Sequence, residues 1–116
     1  NRIPVYLNNR EICFDVDPVI IDGRTLVPMR DVFEALGAVV SWNGETETAT
    51  AQKGDTTVQV QIGSNTIRKN NQIISVDVPA RIIWNRTLVP VRAVSEAFES
   101  VVKWDNNERA VYIEIN

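Results

Sequence analysis

Apolar and polar positions along the chain follow two periods. Val5-Tyr6-Leu7 and Ile12-Cys13-Phe14 flank Asn8-Asn9, and Thr66-Ile67-Arg68 and Ile73-Ile74-Ser75 flank Asn70-Asn71. Asparagine tolerates positive φ, so each pair predicts two strands joined by a tight turn. Met29, Val32, Phe33 and Leu36 recur at the i, i+3, i+4, i+7 spacing of one helix face. Val91, Val94 and Phe98 repeat that stripe, with Ser95 interrupting it. Pro28 and Pro90 stand where a helix tolerates proline, in its first turn. Gly37 suits the left-handed residue that ends the first helix. Glu99 stands at that place in the second, which predicts a less sharply defined exit. Val39 to Trp42 and Val101 to Trp104 read as returning strands. Asn43-Gly44 predicts a tight turn into Thr48 to Ala51, and Asp105-Asn106-Asn107 leads likewise into Val111 to Ile115. Thr57 to Ile62 alternates cleanly, as a strand with one wet face does.

These elements come twice. Gly23-Arg24-Thr25-Leu26-Val27-Pro28-Met29-Arg30 returns as Asn85-Arg86-Thr87-Leu88-Val89-Pro90-Val91-Arg92, a shift of about 62 residues. The match runs on without a gap, Glu34, Ala35 and Trp42 falling on Glu96, Ala97 and Trp104. Upstream, Ile12 and Asp15-Val16 fall on Ile74 and Asp77-Val78. Each copy holds too little to close a core alone. The expectation is therefore a single α+β domain over 1–116, with internal repeats at about 3–62 and 65–116. Each repeat would be a hairpin-helix-hairpin unit with one short helix, so that the antiparallel strands of the whole domain pack on two short helices.

Composition narrows the chemistry. The 116 residues are 44% hydrophobic and 23% charged, as in an ordinary globular domain, and the net charge of −3 gives no reason to expect nucleic acid. Histidine is absent, which removes the commonest metal ligand and the commonest general base. Cys13 is the only cysteine, and in a run that reads as a strand it is expected to be a small buried hydrophobe. No apolar run is long enough to cross a bilayer. The chain opens at Asn1 rather than Met, so a mature fragment or excised domain is expected, any export signal having been lost.

The Arg-Thr-Leu-Val-Pro-x-Arg run, followed by Glu-Ala-Leu-Gly-Ala-x-Val-x-Trp, resembles the signature of the copper amine oxidase amino-terminal-like (stalk) domain, over nearly the whole chain. Two departures stand in the second copy: Asn85 for the usual Gly, and Glu99-Ser100 for Gly-Ala. The resemblance implies a small module of antiparallel strands wrapped on a helix, in exported and cell-surface bacterial proteins. It implies a non-catalytic role, as a spacer or docking module, and no cofactor, because copper ligands and quinone belong to another domain of the oxidases. The partners it implies are other domains of a larger extracellular protein or components of the cell wall.

Individual residues follow that reading. Arg30 with Glu34 and Arg92 with Glu96 are four apart on their helices, as surface ion pairs are. Arg24 and Arg86, just ahead of a strand-to-helix junction, are expected to brace loop carbonyls, with anion binding as the alternative. Thr25, Pro28, Thr87 and Pro90 complete the structural motif. Trp42 and Trp104 close matching strands and are expected to be half-buried. Trp84 replaces Asp22 of the first copy, so the shared fold does not demand it. With its neighbour Arg86 it is the candidate binding residue, for a sugar or a protein partner. Asp15, Asp17, Asp22, Glu45 and Glu47 lack the spacing of a calcium loop. Asn85-Arg86-Thr87 reads as the motif itself rather than as a glycosylation site. No catalytic constellation can be assembled, and a cell-wall or polysaccharide binding module is the alternative function.

Overall fold

The computed structural model describes residues 3–91, 93 and 97–115. Asn8 and Asn9, at φ 47° and 71°, form a two-residue turn between β1 (Val5–Leu7) and β2 (Arg10–Glu11). Both central residues are left-handed, as a type I′ turn requires. Asp22 and Gly23, at 51° and 76°, do the same between β3 (Val19–Ile21) and β4 (Arg24–Pro28). β4 runs straight into helix α1 (Met29–Ala35), with Pro28 still extended at φ −60° and ψ 120°. A proline there costs no ladder bond in the helix, since the first amides of a helix have no partner within it. The helix ends where Gly37 turns left-handed at φ 94° and its amide donates to the Glu34 carbonyl.

β5 (Val39–Asn43) and β6 (Thr48–Lys53) follow, then β7 (Thr56–Gln61), β8 (Thr66–Lys69) and β9 (Gln72–Ser75). β10 (Arg81–Ile83), β11 (Arg86–Pro90), β12 (Val101–Asp105) and β13 (Ala110–Glu114) complete the chain. The strands make three sheets, ordered β12-β13-β1-β2, β10-β11-β4-β3 and β5-β6-β7-β8-β9. β1 pairs with β13 in parallel, and the other pairs are antiparallel.

The middle sheet joins the halves. β4 and β11 pair with Pro28 opposite Leu88, Val27 opposite Val89 and Leu26 opposite Pro90. The repeat shift carries Val27 onto Val89, so this register has local two-fold symmetry about that pair. Successive side chains alternate faces. Val27 and Val89 enter a main core drawn from both halves, with Val5, Phe33, Val58, Val60 and Ile113. Leu26 and Leu88 point the other way, closing a smaller cluster around Val78.

Several expectations are corrected. The body is mostly β, with 13 strands and one complete helix of seven residues among the described residues, not an α+β pair of helix-centred units. The physical reason lies in segments 19–21 and 81–83, which pair with β4 and β11 and so build a sheet where loops were expected. Of the second helix, expected over 90–98, Val91, Ala93 and Ala97 are helical, while Arg92, Val94, Ser95 and Glu96 lie outside the described residues. At its exit Glu99 is left-handed at φ 55°, where Gly37 is left-handed at φ 94° in the first half and with less strain. Asn43-Gly44 is not a two-residue turn. Asn43 pairs with Thr48 across a four-residue loop, and its side-chain oxygen accepts from the Glu45 and Thr46 amides at 2.9 and 3.3 Å. Cys13 is exposed and outside any strand, its neighbours Ile12 and Phe14 packing on the main core instead.

Candidate functional site

The signature arginines reach across the seam between the halves. Arg24 donates through Nε and Nη2 to Oδ2 of Asp77, at 3.0 and 2.6 Å. Arg86 donates through Nη2 to Oδ2 of Asp15 at 3.0 Å. The repeat shift carries Arg24 onto Arg86 and Asp15 onto Asp77, so these are reciprocal ion pairs, each half holding the other. They do not mainly brace their own loops: Arg86 Nη1 reaches one neighbouring carbonyl, that of Asn85, at 3.3 Å. All four side chains are about half exposed or more. Each pair contributes roughly 0.2–1 kcal/mol, most of it screened by salt.

Thr25 and Thr87 lie beside these arginines, half-buried, and Pro28 and Pro90 are buried at the strand ends. On α1, Arg30 Nη1 donates to Glu34 Oε2 at 3.3 Å and to the Val40 carbonyl at 3.1 Å, which ties the helix to β5. Arg92 and Glu96, the matching pair, lie outside the described residues. Trp42 and Trp104 are 42% and 41% exposed, and the Trp104 indole N–H donates to Asn106 Oδ1 at 3.3 Å. Trp84 is 84% exposed, at the tip of the β10–β11 hairpin. It and Asn85, at φ 50° and 67°, occupy the turn positions held by Asp22 and Gly23 in the first half. Left-handed backbone is an outlier for a bulky side chain and costs roughly 1–2 kcal/mol.

Two grooves flank the seam and are built from equivalent positions. One, of about 570 Å³, is walled by Trp42, Asp15, Arg86, Thr87 and Ile82. The other, of about 510 Å³, is walled by Trp104, Asp77, Arg24, Thr25 and Ile20. Sequence reading found the tryptophans and arginines separately and missed that each arginine meets the tryptophan of the other half. The shared shift of Asp15 and Asp77 was the available signal. Arg30 and Asp31 of α1 also line the first groove; Ala93 stands at the place of Asp31 in the second half, and Arg92, the counterpart of Arg30, lies outside the described residues. Burial raises the Asp31 carboxyl above its ordinary value, the nearby Asp15 charge adds to this, and Arg86 opposes it.

A third depression, of about 470 Å³, lies on the outer face of the five-stranded sheet, among Thr48, Thr50, Gln59, Gln61 and Thr66. Elsewhere Tyr6 and Tyr112 stack with ring centroids 4.9 Å apart. The Tyr112 hydroxyl donates to Glu108, which pushes its pKa up to about 12.

These side chains do not fit a copper centre. The sequence supplies no histidine and one thiol, and among the described residues no three His, Cys, Asp or Glu side chains are grouped to hold a metal. No described helix is long and apolar enough to cross a membrane.

Comparison with known proteins places the chain. A protein from Brevibacillus choshinensis named "Protease inhibitor" is 34% identical over 77 residues, covering 66% of this chain and 24% of that protein. The chain thus spans less than a quarter of the length of that curated relative. The family model for the copper amine oxidase N-terminal domain matches residues 6–113, nearly the whole sequence. The chain belongs to the copper amine oxidase N-terminal domain family, a family of non-catalytic accessory domains.

Proposed function

We propose that this domain is a spacer and docking module of an exported or cell-surface bacterial protein, and that it docks through the hairpin tip carrying Trp84. The observation that carries the reading is Trp84 itself. A tryptophan 84% exposed and held left-handed, where the other half of the molecule has Asp22, adds strain and apolar exposure without serving the fold. Large exposed aromatics are the residue type that anchors interfaces. The signature residues, by contrast, are spent on the seam, in the β4–β11 pairing and the reciprocal ion pairs. That use suits a body about 38 Å long whose task is to hold its shape between neighbours.

The test supplies the rest of the parent protein as a separate chain and measures its binding to the domain. Wild type is expected to bind. Trp84→Asp, which installs the residue of the other half, is expected to weaken binding at least 30-fold, as loss of about 2 kcal/mol at an anchor does, while its denaturant midpoint holds or rises. Unchanged binding by Trp84→Asp would remove the docking role.

A second reading, attachment to cell-wall or substrate polysaccharide, is favoured by the two grooves, each of which sets an accessible indole beside polar side chains.

A further inference from the structure

We infer that the two seam grooves are equivalent subsites for a neutral glycan chain, one sugar ring seating against Trp42 and another against Trp104; this rests on the polysaccharide reading. Volumes of about 570 and 510 Å³ fall within the roughly 300–1,000 Å³ of ligand sites. Each groove offers the two surfaces a sugar ring presents. The indole, 42% or 41% exposed, gives an apolar face for the axial C–H side of a pyranose. The ion pair beside it, Arg86 with Asp15 or Arg24 with Asp77, gives donors and acceptors for vicinal hydroxyls. Each pair lines its groove and stays about half exposed or more, which leaves N–H groups and lone pairs not used between the partners open to solvent there.

Charge selects the ligand. In both grooves the seam arginine is paired with a carboxylate, Arg86 with Asp15 and Arg24 with Asp77; among the described residues the first also holds Arg30 and Asp31, and the second Arg109. A phosphate or polyuronate site would cluster cations without carboxylates among them. A seam arginine already paired with a carboxylate suits uncharged hydroxyl and N-acetyl groups better than an anion. The duplication selects a polymer: two like sites on one rigid body gain avidity on a ligand that repeats, and gain nothing extra on a monosaccharide.

The experiment titrates the 116-residue chain calorimetrically with β-1,4-linked tetramers of glucose and of N-acetylglucosamine, with a galacturonate tetramer as the charged control. It also measures co-sedimentation with insoluble cell-wall polysaccharide. Two sites per chain are expected for one neutral tetramer. Trp42→Leu and Trp104→Leu should each remove one site, Trp42→Phe should keep it, and the double Leu variant should lose at least ten-fold in polymer affinity. Circular dichroism spectra matching wild type qualify each variant. Polymer binding that survives in the folded double variant would overturn the groove assignment and leave the polysaccharide reading standing, with the Thr- and Gln-lined face or Trp84 as its site. Absence of wild-type binding to tetramers and polymer alike would overturn both. Tighter binding of galacturonate would overturn the neutral-glycan assignment.

Discussion

The two halves use the same scaffold, and they part company at its surface. Asp22-Gly23 and Trp84-Asn85 make the same left-handed turn, yet the first pair suits that backbone and the second strains it. Gly37 and Glu99 differ in the same way at the ends of equivalent segments, and within those segments Asp31 stands where the second half has Ala93. Inside, the halves agree: Leu26 and Leu88, and Val27 and Val89, are matched in kind and all buried. Positions held in common carry the fold, so a costly residue present in one half only points to something outside the fold. Trp84 fits that description best.

The largest effect that could break this comparison lies in the smaller core. Leu26 and Leu88 are both fully buried and share Val78 as a neighbour. Replacing either by Ala should cost about 2–5 kcal/mol, and the two costs should be alike. Denaturant unfolding of both single variants and the double tests this. If Leu88→Ala is mild while Leu26→Ala is severe, the second half does not bear on the seam as the first does. The double variant should depart from the sum, because both residues border the same cavity.

A middle-sized effect separates backbone strain from side-chain contact. At Gly37 an added Cβ would meet only the flexible Lys53 side chain, at 3.5 Å, so Gly37→Ala is costly through its φ of 94° alone, by about 1 kcal/mol. Glu99→Gly should move stability the other way, by up to about 1 kcal/mol, since Glu99 already sits at φ 55°. Opposite signs for these two changes would show that both halves demand a left-handed residue there. A loss of stability in Glu99→Gly would show that its side chain holds something the strain supports.

How much of this was readable beforehand depends on the range of the interaction. The Asn8-Asn9 turn, the strand alternation from Thr57 and the stripe of α1 all follow from neighbours within a few residues. Asn43-Gly44 misled because Asn43 uses its side chain to cap a longer loop, an option that the same residue pair leaves open. Asp22-Gly23 was an equally strong turn signal, and the short apolar run Val19-Ile20-Ile21 before it was a strand, so the middle sheet was there to be read. Cys13 departs from the buried strand position expected of it because a three-residue apolar run has no clear period. The ion pairs of Arg24 with Asp77 and Arg86 with Asp15 span 53 and 71 residues, and no local pattern reports contacts of that range. Only the equal shift of all four residues hints at them. The grooves were hidden for the same reason, being made by the packing of one half against the other.

The smallest effect concerns Asp31, which occupies the place of Ala93 and has no counterpart charge. Burial, and after it the charge on Asp15, raise its carboxyl, although Arg86 and Arg30 pull the other way. A carboxyl whose folded pKa stands above its unfolded value binds its proton more tightly in the folded state. While ionised it therefore opposes folding, and the penalty lifts as the pH falls through the folded value. Asp31→Asn keeps the shape and deletes the charge, so it should raise stability to denaturant at pH 7, by less than about 1 kcal/mol at a partly exposed site. The gain should shrink as the pH falls and be gone once the carboxylates are protonated, below about pH 4. The position of Asp31 in the first turn of α1 works against this, since an N-terminal carboxylate is favoured there. A lower midpoint for Asp31→Asn at pH 7 would mean that the helix end and the two arginines prevail, and that the charge in the first groove stabilises the half that carries it. A gain that persists unchanged to pH 3 would trace the effect to the amide's own packing and not to the lost charge.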